Sequence, residues 1–111
     1  MELKRAREDT AQLAWQRFLE FWEREGNRHF SEEEAELLPA YAQAVEPDQP
    51  AVTRTLLEHV LIRARIATIR AQRRPQVADL NQLGIWLELH VRHEERVLFP
   101  LIEDATGVGK R

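Results

Sequence analysis

The stretch HVRHEERVLFP at positions 90–100 has a counterpart, HFSEEEAELLP, at positions 29–39. Laid one on the other, His29 falls on His90, Glu33 on Glu94, Glu34 on Glu95, Leu37 on Leu98 and Pro39 on Pro100. In each copy a glutamate follows the histidine at i+4, and on an α-helix those positions stand one turn apart on a single face. Each copy therefore presents an imidazole beside a carboxylate. The proline that closes each copy marks a place where a helix kinks or ends.

The rest of the chain reads as helix too. Few valines and threonines and no period-two alternation argue against a sheet. Breakers fall at Pro39, across Glu46-Pro47-Asp48-Gln49-Pro50, at Pro75, at Pro100, and at Gly107 and Gly109. They delimit three long helices. The first runs from about Arg7 or Asp9 to about Leu38, with a short turn through Tyr41 and Ala44. The second runs from just after Pro50 to about Gln72, and the third from near Pro75 to Phe99 or Asp104. Residues from about 105 to 111 read as a flexible tail. Short connections make sequential helices antiparallel neighbours, so the expected fold is all-α, an up-and-down helical bundle in one domain spanning 1–111.

Only four histidines occur, His29, His59, His90 and His93. The apolar stripes are Trp15, Phe18, Trp22, His29, Glu33, Leu37 on the first helix, and Val52, Leu56, His59, Ile62, Ile66, Ile69 on the second. On the third the stripe is Leu80, Leu83, Leu87, His90, Glu94, Val97, Leu101. A histidine interrupts each stripe, which predicts three inward imidazoles. His59 lies nine residues after Pro50, while His29 and His90 lie ten residues before Pro39 and Pro100. With the second helix antiparallel to the others and a rise of about 1.5 Å per residue, the three fall in one layer with Glu33 and Glu94. His93 sits beside the stripe and reads as a boundary residue. Glu34 and Glu95, about 100° away from the inward glutamates, read as acceptors behind the imidazoles or as solvated residues. Glu58 reads as orienting a neighbour or as a surface residue.

Two facing carboxylates in a core cost several kcal/mol, on the order of a lost ion-pair partner each, unless a proton or cation joins them. Clustered His and Glu at this spacing supply ligands for a cation. The absence of cysteine excludes thiolate metal sites, disulfides and cysteine nucleophiles. No Gly-rich phosphate loop and no Ser-His-Asp arrangement supports other chemistry. Net charge is −3 with acidic and basic residues interleaved, which points to neither nucleic acid nor an anionic membrane as partner. MELKRAREDT is charged where a signal peptide is apolar, and no long apolar run occurs, so the expected location is cytoplasmic.

The two spaced H-x3-E-E-x2-L-[LF]-P segments, with Glu58-His59 between them, resemble the hemerythrin-like, or HHE cation-binding, family over roughly residues 10–104. The resemblance implies a four-helix bundle around a non-haem iron centre, as a rule di-iron, that binds or senses oxygen, nitric oxide or iron; another divalent metal fits the same donors. It implies that His29, His59 and His90 are terminal ligands and that Glu33 and Glu94 are bridging ones, with ligand binding rather than catalysis as the activity. The alternative within this fold is a metal-free structural or interaction bundle. The chain departs from the family pattern in two places: no histidine precedes His29, and Arg63 stands where oxygen carriers have a histidine. MELKRARED resembles the last turns of the family's first helix. Exposed apolar side chains then lead to the expectation of a homodimer that supplies the missing wall, or of an upstream extension that contains it.

Overall fold

The structure is a computed structural model and describes residues 2–44 and 49–106. Among the described residues there is no strand, and three long helices pack antiparallel. The second helix spans Pro50–Ala71. Gln49 caps it, its side-chain oxygen accepting from the Ala51 N–H at 3.0 Å, and Pro50 fills the first turn, where no N–H is needed. Pro47, Gly107 and Gly109 lie outside the described residues, as does the proposed tail beyond Thr106.

The first and third helices are longer than the proline positions suggest. The first passes from Ala11–Phe21 through Trp22–Gly26, Asn27–Glu32 and Glu33–Leu37 to Leu38–Ala44. The third passes from Val77–His93 through Glu94–Leu98 to Phe99–Thr106, so Ala105 and Thr106 are helical rather than part of a flexible tail. Three of these segments are single π-turns, in which Asn27, Leu38 and Phe99 donate their N–H groups to the carbonyls of Trp22, Glu33 and Glu94, five residues back. Proline interrupts an α-helix because it lacks an N–H and crowds the carbonyl four residues back. A widened turn just ahead of Pro39 and of Pro100 accommodates both effects, and each helix continues.

Each π-turn also inserts one residue into the helical count, which rotates the inward stripe by about 100°. Leu38, Leu98 and Ile102 are buried where Leu37, Val97 and Leu101 were expected, and Val97 is exposed. On the second helix Thr55, not Leu56, faces inward. Its hydroxyl donates to the Ala51 carbonyl at 2.8 Å, so it is buried without an unmet polar group.

Two apolar clusters result. One holds Trp15, Phe18, Trp22, Phe30, Ile62, Ile66, Leu80 and Leu83. The other holds Leu38, Tyr41, Val52, Leu98 and Ile102. By helical position, Glu33, His59, His90 and Glu94 fall between the two. Ahead of the first helix, residues 2–10 strap across the third. Asn81 donates its amide to the carbonyls of Leu3, Lys4 and Ala6, and Leu3 is buried. Gly84 permits that approach: a Cβ there would lie 2.4 Å from the Lys4 nitrogen.

Candidate metal centre

The polar layer is set by the π-turns. Glu33 and Glu94 each begin one, and both side chains are buried between the helices. His59 enters from the second helix and His90 from the third, with relative exposures of 0% and 1%. One ligand atom from each of these four residues lies within 4.8 Å of those from the other three.

His29 is placed differently from the expectation. The π-turn Trp22–Gly26 precedes it and turns the stripe by one residue, so Phe30 faces inward and the His29 side chain is 55% exposed. Its Nε2 still lies 3.2 Å from Glu33 Oε2 and 4.0 Å from Glu94 Oε1. His29 therefore stands at the rim of the cluster. Phe30 stacks on the His59 ring at 3.8 Å between centroids and meets His90 edge-on at 5.2 Å. It forms an apolar wall against which both imidazoles are held, a role that the 3.6-residue period alone concealed.

The outer side of each imidazole is fixed by a carboxylate. His59 Nδ1 lies 2.7 Å from Glu34 Oε2, and His90 Nδ1 lies 2.7 Å from Glu58 Oε1. Arginines hold both glutamates in turn, Arg63 on Glu34 at 2.6 Å and Arg54 on Glu58 at 2.9 Å. Burial raises the carboxyls of Glu34 and Glu58, but the arginine and histidine partners outweigh it and hold both below the ordinary value. They are therefore ionised acceptors, and Nδ1 of each imidazole donates to one of them. Nε2, which bears the lone pair once the ring has lost its second proton, faces the cluster. The repeat placed Glu95 alongside Glu34 in this role, yet Glu95 is exposed and Glu58 acts for His90. Arg63, at the point of departure from the family pattern, anchors Glu34 and lies over the Phe30 ring at 5.5 Å.

Inside the cluster the polar atoms lack hydrogen-bond partners. Both Glu33 oxygens, Glu94 Oε2, His59 Nε2 and His90 Nε2 are buried and unpaired. His59 Nε2 comes within 3.1 Å of Glu33 Oε1, and His90 Nε2 within 3.2 Å of Glu94 Oε1. These contacts lack the alignment of hydrogen bonds: two lone pairs and two carboxylates face one another around a common centre. Burial, and then the adjoining Glu94 carboxylate, push the Glu33 carboxyl up. Burial also raises Glu94, but the adjoining His90 and Glu33 outweigh it and hold Glu94 low. A cation offsets the paired buried carboxylates and satisfies the orphaned atoms, so the donor set fits a metal ion of the kind that takes imidazole and carboxylate.

His93 is not at a boundary. It is buried, and its Nε2 lies 3.3 Å from the Ala51 carbonyl oxygen and 3.2 Å from Thr55 Oγ1. The carbonyl can only accept, so this nitrogen is protonated and ties the third helix to the second.

The hemerythrin HHE cation binding domain model matches residues 2–102. The chain belongs to the hemerythrin HHE family. No curated protein and no solved structure matches the sequence. In this HHE domain, the buried Glu/His cluster is the part able to hold the cation that the family description names. No helix among the described residues is long and apolar enough to cross a membrane.

Proposed function

We propose that this HHE domain is a non-haem iron protein that binds or senses a diatomic ligand, oxygen or nitric oxide, or iron itself. In this reading Glu33, His59, His90 and Glu94 would hold the metal, with His29 as a fifth ligand at the rim, and the two carboxylates would suit a di-iron centre. The observation that carries it is the orientation of the imidazoles. Glu34 and Glu58 hold both Nδ1–H groups outward, and both Nε2 atoms face two buried carboxylates, three of whose four oxygens have no hydrogen-bond partner.

When bound, iron supplies Lewis acidity, redox capacity and open coordination positions. The chain supplies the rest. Phe30 and the apolar clusters on either side keep water from the imidazoles. His29 borders a cavity of about 350 Å³ lined also by Glu33, Leu37, Ala40 and Phe99. That cavity gives a small ligand a route to the exposed side of the cluster.

Exposure of the ferrous protein to nitric oxide under anaerobic conditions tests the ligand-binding half. A new visible absorption band and an altered electron paramagnetic resonance signal are expected, and both should vanish in the Glu33→Ala/Glu94→Ala double variant. An unchanged spectrum from iron-loaded protein would contradict it.

The raised Glu33 carboxyl favours a second reading, a metal-free interaction bundle, because a proton held there relieves the buried charge without a cation. Failure to retain iron after ferrous reconstitution would select that reading.

A further inference from the structure

Between the first and third helices lies a groove of about 580 Å³. Along the first helix it is lined from Ala14 to Phe30, a length of about 24 Å at the helical rise. Leu87 and Val91 form the facing wall, and His90 and Glu94 lie at the end near the cluster. A groove of that length suits an opposing helical face better than a small molecule. Phe21 and Val91 on its walls are 47% and 45% exposed, and Leu13, two turns before Phe21 and outside the groove lining, is 52% exposed.

The charge pattern selects which partner. Leu13, Arg17, Phe21 and Glu25 recur at four-residue spacing and form one ridge of the first helix. Two such ridges, run antiparallel about a two-fold axis at Phe21, place each Phe21 on its mate. The same register sets Arg17 against Glu25 of the partner subunit, and Leu13 against His29 of the partner subunit. Among the described residues Arg17 pairs with Glu2 at 2.7 Å, and both side chains are more than half exposed, a contact weak enough to be exchanged.

We propose that the face formed by the first and third helices is a homodimer interface, two copies packing groove to groove about a two-fold axis at Phe21. The ridge of one copy occupies the groove of the other, and the exposed side of His29 is covered. The argument uses no property of a bound metal and stands apart from the metal reading.

Sedimentation equilibrium of the full chain across the micromolar range tests it. The wild type should sediment at twice the 13.0 kDa chain mass. Phe21→Glu should sediment as a monomer with an unchanged helical circular dichroism spectrum. Arg17→Glu should weaken the dimer roughly tenfold or more, and the Arg17→Glu/Glu25→Arg exchange should restore it. If Phe21→Glu fails to fold, the charge exchange decides alone. A wild type that stays monomeric, whether the groove holds another protein or nothing, would overturn the proposal. So would a dimer indifferent to Phe21→Glu, which would move the contact to the Leu57, Val60 and Leu61 face, or a charge exchange no stronger than its single parent.

Discussion

His59 Nδ1 and Glu34 Oε2 lie 2.7 Å apart, and this one bond, with its twin between His90 and Glu58, turns the Nε2 of two core histidines toward the buried Glu33 and Glu94 carboxylates. Removal of the acceptor frees the ring to rotate or change tautomer. Glu34→Ala and Glu58→Ala should each lower metal affinity by about 10–100-fold while the fold persists. Glu95→Ala, which the sequence repeat makes the equivalent of Glu34, should leave affinity unchanged. Isothermal titration with ferrous ion in an anaerobic cell distinguishes the three.

Glu33 is the buried carboxyl that burial holds above its ordinary value of 4.5. A group raised in this way stabilises the fold below its unfolded value, and that contribution is lost as pH rises through the folded one. Once Glu33 ionises, the metal-free wild type therefore carries a buried charge that Glu33→Gln lacks. The variant's apo form should be more stable by about 1–2 kcal/mol near neutrality, with the gap closing as the solution is acidified. Urea unfolding of both metal-free proteins over a pH series measures it. Equal stability at every pH would contradict the assigned burial cost.

Metal binding should show the opposite slope. Burial lowers the His90 imidazole, but the carboxylates of Glu94 and Glu58 beside it outweigh burial and raise it above 6.5. Protons on His90 and Glu33 compete with the cation, so affinity should fall steadily from about pH 8 to about pH 6. Competition against a chelator of known affinity, repeated across that range, reads the slope. A flat profile would mean that neither group must lose a proton to admit the metal.

The strap over the third helix rests on a missing side chain. Gly84→Ala puts a methyl group where the Lys4 backbone now lies, 2.4 Å from its nitrogen. The substitution should cost about 1–3 kcal/mol by displacing residues 2–10, despite alanine's higher helix propensity. Thermal unfolding shows which effect wins.

Much of this was legible in the sequence. The breakers at Pro50 and Pro75 bounded the second helix and the start of the third, and the seam positions of His59, His90, Glu33 and Glu94 follow from simple helical spacing. What spacing could not supply was the effect of the three π-turns. Each shifts the register by one residue, which sends His29 to the rim, brings Phe30 against the imidazoles, and exchanges Leu37 and Val97 for Leu38 and Leu98. Pro39 and Pro100 were the available signal, since a proline inside a continuing helix requires a local widening ahead of it. The turn at Trp22–Gly26 has no proline to announce it. Thr55 and His93 escaped for another reason: both are polar, and only the geometry shows that they satisfy one another and Ala51.

Metal content after anaerobic reconstitution with ferrous ion and removal of excess by gel filtration is the most direct test of the buried cluster. The wild type should retain iron in stoichiometric amount, and Glu33→Ala/Glu94→Ala and His59→Ala/His90→Ala, folded by circular dichroism, should retain none. Iron absent from the wild type, or equally present in the double variants, would contradict the assignment of Glu33, His59, His90 and Glu94 as the metal's ligands.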